Sequence, residues 1–163
     1  MKTLLWWILK ELFKNLGKVN LLGKASEVYR SGQPGFIRRR IMYWIIKPKT
    51  RINIAYSPNY DKQDAPERDF LEKKGVKFYG YAWSAGGPLD KKEEVMEVVN
   101  LLDTAPRPIW IGCEGGKDRT GGIIGYWKRT KGELWGDIIE DFQKYGLPAE
   151  GWLNLVFRRE PQV

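Results

Sequence analysis

The segment Ile109-Trp-Ile-Gly-Cys-Glu-Gly-Gly-Lys-Asp-Arg-Thr-Gly121 decides how this chain is interpreted. Residues 109–112 form a short apolar run that is typical of a buried strand, and residues 120–131 have the pattern of a helix. A strand, a tight glycine-containing loop and a helix N-terminus together form a cradle for an anion. The backbone N–H groups and the positive end of the helix dipole both favour negative charge there, so the segment predicts a phosphate-binding loop.

Side chains in this loop supply a nucleophile and a cation. The positive field of the cradle favours the thiolate of Cys113, which is the nucleophilic form of cysteine. Arg119 follows six positions later and can return to the mouth of the cradle, where a guanidinium binds two phosphate oxygens. Gly115 and Gly116 allow the backbone to approach the anion closely. The alternative for Cys113 is a buried thiol at a strand end, where cysteine acts as a small apolar residue.

Composition limits the classes of protein and site that are compatible with the chain. Its 163 residues suit one domain, so we predict a single domain over residues 1–163. The chain contains no histidine and one cysteine, which excludes histidine-dependent triads, the usual zinc cages and an internal disulfide. The net charge of +8 attracts anionic ligands. A lone thiol suits a reducing compartment, so we predict a cytoplasmic protein.

The N-terminal segment differs in composition from the rest of the chain. We predict an amphipathic helix over residues 1–22, which precedes a core at about 24–160. Its apolar run is too short to span a bilayer, but Trp6 and Trp7 beside lysines suit a helix that lies on an anionic membrane surface. The alternative is a helix that packs on its own domain. The residues with helical apolar spacing are Leu5, Ile8, Leu9, Leu12, Phe13 and Leu16.

Strands alternate with helices after residue 23, which predicts an α/β fold. Strands are expected at 27–30, 51–55, 76–83 and 109–112, and helices at 34–46, 66–75, 90–102, 120–131, 134–145 and 152–159. The expected architecture is a small, mostly parallel sheet of four to five strands flanked by helices. In the first of these helices, the run Arg38-Arg-Arg40 is either a phosphate- or lipid-facing patch or an ordinary solvated face.

The loop sequence resembles the signature of the cysteine-dependent tyrosine and dual-specificity phosphatases, in the form C-x-x-G-K-D-R-T-G found in bacterial and atypical members. The stretch Val28-Tyr-Arg-Ser-Gly-Gln-Pro34 resembles the entry strand of those enzymes. The resemblance covers roughly residues 27–146, and its specific part is the loop.

This resemblance implies a two-step hydrolysis without metal or cofactor. Cys113 attacks phosphorus and water resolves the thiophosphate, while Arg119 stabilises the transferring group. Thr120 matches the position whose hydroxyl steadies the thiolate. The substrate-binding part of the loop is Glu114, Gly115, Gly116 and Lys117.

The chain departs from this phosphatase pattern at two places. The residue before the nucleophile is usually His, and here it is Gly112. The general acid in many relatives is an Asp on a loop that matches residues 83–88, which contain no Asp. We rank Asp118 first as the replacement, with a structural brace as its alternative, then Asp90, whose alternative is a helix N-cap, and then Asp64.

The expected substrates are phosphotyrosine or mixed phosphoprotein sites. An inositol polyphosphate or phosphoinositide is the alternative within enzymes, favoured by Lys117 and the net charge but opposed by the nearby carboxylate of Glu114. A catalytically weak phosphate-binding module at a membrane surface is the alternative of another class. Nucleic acid is not an expected partner, because the positive charge is dispersed and no recognition motif accompanies it.

Overall fold

A five-stranded sheet forms the centre of the molecule. The computed structural model describes residues 15–56, 64–88 and 91–157. The strand order is β1-β2-β5-β3-β4, with β1 antiparallel to β2 and the other neighbours parallel. This confirms the predicted small, mostly parallel sheet. The strands are β1 (Gly17–Leu21), β2 (Lys24–Gly32), β3 (Thr50–Asn53), β4 (Lys77–Gly80) and β5 (Ile109–Cys113).

Helices cover both faces of the sheet. We call the side packed by α1 and α2 the α1 face, and the side packed by α3 to α6 the α4 face. None of the helices in the described ranges has the length and apolar content needed to cross a bilayer. The helices are α1 (Phe36–Ile46), α2 (Asp64–Glu72), α3 (Lys92–Thr104), α4 (Asp118–Thr130), α5 (Trp135–Tyr145) and α6 (Glu150–Phe157).

The predicted helix over residues 1–22 is wrong for its last part, and residues 1–14 lie outside the described ranges. Residues 17–21 form β1, in which buried Gly17 and Val19 alternate with more exposed neighbours. The chain then reverses through Leu22 and Gly23, both with positive φ, and pairs with β2. Two central residues with positive φ match the twist of a tight hairpin. The sheet therefore starts before residue 24, where the sequence had placed the start of the core.

Two other local expectations need correction. Helix α3 begins at Lys92 with Lys91 as its N-cap, so Asp90 is not its capping residue, and Asp90 lies outside the described ranges. The basic run in α1 is also not uniformly solvated, because the Arg39 side chain is buried on the α1 face, 3.7 Å from the carboxylate of Glu67. A helix turns by 100° per residue, so adjacent arginines in one run must point in different directions.

Helix α4 packs closely because it contains glycine. A Cβ at Gly122 would lie 2.8 Å from Trp152, and a Cβ at Gly125 would lie 2.7 Å from Phe142. These positions allow α5 and α6 to approach the α4 backbone. They also remove side chains that would favour a helix, since each glycine costs about 1 kcal/mol relative to alanine.

Candidate active site

The cysteine loop, residues 113–120, lies at the carboxyl end of β5. Cys113 is the last residue of the strand and pairs in register with Gly32 of β2, while Asn53 of β3 pairs with Gly112. The ends of three parallel strands therefore meet at the loop, which is where open α/β sheets place ligands. The sequence prediction of the cysteine at a strand end is confirmed.

The backbone of the cysteine loop is pressed against the end of β2. Gly116 has φ 67°, and a Cβ there would lie 2.4 Å from the Gly32 nitrogen. The Gln33 N–H donates to the Glu114 carbonyl over 3.0 Å. A residue with a side chain at 116 would meet both an unfavourable φ and a backbone atom, so this position requires glycine.

Arg119 is fixed in the first turn of α4. Its side chain is buried, and Nη1 donates to the Trp83 carbonyl over 2.8 Å. Nη2 lies 3.7 Å from the exposed carboxylate of Glu114, and Nε makes no hydrogen bond within the described structure. One end of the guanidinium is thus anchored outside the loop, and the cation faces the loop at its Glu114 side.

Cys113 and Thr120 are the buried polar groups of the loop. The thiol is free and 1% exposed, so a phosphorus atom must enter the loop to reach the sulfur. The Thr120 hydroxyl is fully buried and makes no hydrogen bond within the described structure. A buried hydroxyl without a partner costs about 1–3 kcal/mol, and such costs are often tolerated at functional sites.

Arg30 lies behind the loop and was not singled out from the sequence. It is 1% exposed in β2, and its Nη2 donates to the Gly116 carbonyl over 2.8 Å. Its Nη1 lies 3.4 Å from Asp141, and its guanidinium stacks 4.1 Å from the Tyr145 ring centroid. Burial lowers the pKa of Arg30, while Asp141, Tyr145 and Cys113 oppose that effect. The available sequence signal was a charged residue inside a strand expected to be buried on both faces.

Asn15 also supports the loop and was missed. Its side-chain amide donates to the Gly115 carbonyl over 2.7 Å. With Arg30 on Gly116, two consecutive loop carbonyls are held by donors from outside the loop. Both carbonyls are thus engaged by outside donors, as expected of a loop whose N–H groups serve to bind an anion.

Asp118 is tied to the start of α6. Its Oδ1 accepts from the Ala149 N–H over 2.9 Å and lies 3.6 Å from Lys117 Nζ. The side chain is 27% exposed, so it remains in contact with solvent at the loop. Of the other carboxylates proposed as the acid, Asp64 begins α2 and Asp90 lies outside the described ranges.

The segment 83–88, which matches the acid loop of many relatives, is packed against α6. The Trp83 ring stacks 5.5 Å from Trp152, and the Trp152 indole N–H donates to the Ser84 carbonyl over 3.2 Å. The Trp83 indole N–H donates to Glu94. Hydrogen bonds from Lys91 and Trp83 lower the pKa of Glu94. This segment therefore anchors Arg119 through a carbonyl and supplies no carboxylate of its own.

Two charged side chains stand at the rim of the loop. Lys117 is half exposed, and its alkyl chain packs so closely on Gly146 that a Cβ there would lie 2.7 Å from Lys117 Cδ. Glu114 is 85% exposed. These are the most exposed of the charged side chains in the loop.

Gly112 stands where cysteine-dependent phosphatases usually have a histidine, and steric crowding explains the glycine. A Cβ at Gly112 would lie 2.6 Å from the Ser31 carbonyl oxygen and 3.4 Å from Arg51 Nη1. Arg51 is fully buried on the α1 face, paired with Glu67 at 3.0 Å and stacked 4.4 Å from the Trp110 ring centroid. The position before Cys113 has no space for an imidazole, because the guanidinium and the neighbouring strand already occupy it.

Comparison with known proteins gives relatives of low identity. The chain matches no protein-family model. "Putative tyrosine-protein phosphatase OCA1" of Meyerozyma guilliermondii is 24% identical over 140 residues, which cover 78% of this chain and 71% of that protein. "Inositol diphosphatase DSP3" of Arabidopsis thaliana is 27% identical over 130 residues, which cover 72% of this chain and 57% of that protein.

Solved structures share the fold. The catalytic core of the PP-IP phosphatase SIW14 from S. cerevisiae aligns with a TM-score of 0.69 and 20% identity, over 91% of this chain and 88% of that one. P. aeruginosa TpbA in complex with pTyr aligns with a TM-score of 0.65 and 18% identity, over 93% and 92%. The comparisons confirm the recognised resemblance to cysteine-dependent phosphatases and the predicted α/β architecture.

Proposed function

We propose that this cysteine-based phosphatase hydrolyses phosphomonoesters through a cysteinyl-phosphate intermediate on Cys113. The observation that supports this most strongly is a free, nearly buried thiol at the end of β5, followed in the next helix by the anchored guanidinium of Arg119. A phosphate held by the loop N–H groups and Arg119 would have its phosphorus directed towards the sulfur. No metal or cofactor takes part in the proposed reaction.

The proposed reaction has two displacements. In the first, the Cys113 thiolate forms an S–P bond while the P–O bond to the alcohol breaks, and the leaving oxygen takes a proton from an acid. In the second, water attacks phosphorus, its proton goes to the same acid, and the thiolate departs. Arg119 and the loop N–H groups stabilise the charge on the phosphoryl oxygens in both steps, and we assign the buried Thr120 hydroxyl, which has no partner within the described structure, to steady the departing thiolate.

We assign the acid to Asp118, the aspartate that the loop itself carries. Its hydrogen bond from the Ala149 N–H would orient the group, and its partial exposure gives it access to water. Asp90 and Asp64 remain the alternatives. An Asp118→Asn variant that keeps its parental kcat on a poor leaving group would show that Asp118 is only a brace between the loop and α6.

Turnover of p-nitrophenyl phosphate tests the reaction. We expect activity in the parent protein, its loss in Cys113→Ser, and a drop of about 100-fold or more in Arg119→Lys, because the lysine cannot bind two oxygens at once. An inactive parent protein that still binds phosphate would instead support the catalytically weak binding module.

We propose phosphotyrosine or mixed phosphoprotein sites as substrates. The rim of the loop has Lys117 and Glu114 in close succession, so it carries no net charge to favour a polyphosphorylated ring. The inositol alternative draws support from the relatives named inositol diphosphatase. A panel of phosphopeptides and inositol phosphates separates the two, and a tenfold higher kcat/KM on the inositol series would reverse our order.

We also propose that the N-terminal segment contacts an anionic membrane from a cytoplasmic location. The support comes from sequence alone and now concerns residues 1–14, because residues 17–21 belong to the sheet. Equal cosedimentation of the parent protein and a Trp6→Ser/Trp7→Ser variant with anionic vesicles would contradict it.

A further inference from the structure

Helix α1 presents an apolar surface to solvent instead of to the core. The buried positions of the helix are Arg39, Met42 and Ile46. The solvent-facing positions carry bulky apolar side chains, whereas the outer face of a helix packed on a core normally carries polar and charged ones. We call these apolar positions the α1 apolar surface, and they are Phe36 (56% exposed), Ile37 (72%), Ile41 (42%), Trp44 (65%) and Ile45 (37%).

The borders of this surface are cationic. Arg38 and Arg40 are exposed on either side of the line that Ile37, Ile41 and Trp44 follow along the helix. The Arg40 guanidinium lies 4.3 Å from the Phe36 ring centroid, so its stem runs along apolar surface while its charge reaches water. The sequence carries no Asp or Glu between Glu27 and Asp61, and Lys47 and Lys49 at the end of the helix are also exposed.

We propose that the α1 apolar surface docks on an anionic lipid bilayer. A helix with a bulky apolar strip, a tryptophan and flanking arginines is suited to lie in the plane of a membrane, with the strip among the acyl chains and the guanidinium groups at the phosphates. A second copy of the chain fits less well, because a symmetric contact through this surface would bring the arginines of the two copies together.

This surface lies beside the candidate active site. The Gln33 N–H donates to the Glu114 carbonyl of the cysteine loop, and Phe36 begins α1 three residues later. Docking through α1 would therefore bring the carboxyl ends of the parallel strands, where Cys113 lies, close to the bilayer. The inference depends on the fold and the exposed side chains, and it does not require phosphatase activity.

Cosedimentation of the full chain with phosphatidylserine-containing vesicles tests the proposal. We expect binding of the parent protein to these vesicles and not to pure phosphatidylcholine. Ile37→Ser/Trp44→Ser should lose most of this binding, and Arg38→Gln/Arg40→Gln should weaken it by about fivefold for each charge removed. The matched control is Leu134→Ser, which removes an equally exposed apolar side chain (74%) at the start of α5, on the α4 face.

Circular dichroism checks that each variant is folded, and p-nitrophenyl phosphate turnover is a second check for the α1 variants and for Leu134→Ser, which lie outside the candidate site. An Arg119→Ala variant that binds vesicles normally would show that the headgroup is not captured by the cysteine loop, whereas loss of binding there would overturn the proposal. The proposal would also be overturned if the parent protein fails to bind anionic vesicles, or if Ile37→Ser/Trp44→Ser binds them as well as the parent does. A parent protein that is a dimer in size-exclusion chromatography, with an Ile37→Ser/Trp44→Ser variant that is a monomer, would assign the surface to a second copy of the chain instead.

Discussion

Two buried arginines lie on opposite faces of the sheet, and they differ in what their charge does. Arg51, on the α1 face, is 3.0 Å from Glu67, and both side chains are completely buried. Arg30, on the α4 face, is 3.4 Å from an Asp141 that is still 14% exposed, and it donates to the Gly116 carbonyl of the cysteine loop. The first arginine is neutralised within its own network, while the second acts on the loop.

The contrast indicates that burial alone does not distinguish a structural ion pair from a residue that supports a site. Both arginines lie in strands adjacent to β5 and stack on an aromatic ring. The distinguishing observation is where the N–H donors go. Arg51 Nη1 donates to the Ile52 carbonyl within β3, whereas Arg30 donates to the loop that follows Cys113. We expect loss of Arg51 to affect stability and loss of Arg30 to affect activity.

Replacing Arg51 by Met should have the largest effect. It leaves Glu67 as a buried carboxylate whose remaining polar neighbours within the described ranges are Arg39 and Asn53, so we expect the free energy of unfolding to fall by about 3–5 kcal/mol. Urea titration measures this change. The protein that remains folded should retain the parental kcat.

The matched control is Arg68→Met, which removes the exposed partner of Glu72 in a pair of 50% and 42% exposed side chains. The free energy of unfolding should change far less than in Arg51→Met, because solvent screens an exposed pair. Equal losses of unfolding free energy in Arg51→Met and Arg68→Met would show that the buried pair on the α1 face contributes no more than an exposed pair.

Replacing Arg30 by Met should lower stability less than Arg51→Met does, because Asp141 is partly exposed and keeps Lys128 at 3.8 Å. Activity should drop by about 100-fold, since the loop loses the donor to Gly116 and the positive charge near Cys113. Turnover of p-nitrophenyl phosphate measures the loss, and urea titration shows that it does not come from unfolding.

An Arg30→Lys variant tests the electrostatic part separately. It keeps the charge and loses the fork, so kcat should lie between those of the parent and of Arg30→Met. A loss of kcat in Arg51→Met as large as that in Arg30→Met would break the comparison.

Replacing Gly112 by Ala, in the central strand β5 between the two faces, should have an intermediate effect on the free energy of unfolding. In Gly112→Ala the new Cβ meets the Ser31 carbonyl at 2.6 Å, and we expect a loss of about 1–3 kcal/mol in the free energy of unfolding. Gly136→Ala is the control, because a Cβ there meets nothing within 4 Å and the alanine favours helix α5. A Gly112 variant as stable as the parent would show that the strand ends are more adaptable than the contact distance implies.

Replacing Glu94 by Gln should have the smallest effect, on the pH dependence of stability. Glu94 lies behind the anchor of a third arginine, Arg119. Glu94 holds the indole of Trp83, whose carbonyl accepts from Arg119. Because its pKa is lowered in the folded protein, Glu94 contributes stability above pH 4.5 that is lost as pH falls through the lowered value. Its carboxylate is 36% exposed and screened by solvent, so Glu94→Gln should flatten the acid side of the stability profile by less than about 1 kcal/mol. An unchanged slope would show that the Trp83 contact does not depend on the charge.

The sequence predicted those features that depend on local patterns. The alternation of strands and helices and the spacing from Cys113 to Arg119 are properties of neighbouring residues, and the sheet, the position of the cysteine and the phosphatase resemblance followed from them. Strand β1 was missed because the helical apolar spacing before it was extended past Gly17, where the period changes to two.

The supports of the loop could not be predicted in the same way. Asn15 and Arg30 reach the cysteine loop from 100 and 86 residues away in the chain, and no local spacing relates them to it. The outward direction of Trp44 also depends on tertiary structure, because the periodicity of α1 groups its residues into faces without telling which face meets the sheet.

The glycines of α4 couple the order of the candidate site to the packing of α5 and α6. Gly122 and Gly125 admit Trp152 and Phe142 but make α4 a poor helix in isolation. The helical turn that positions Arg119 therefore draws its stability from side chains that lie well beyond it in the sequence.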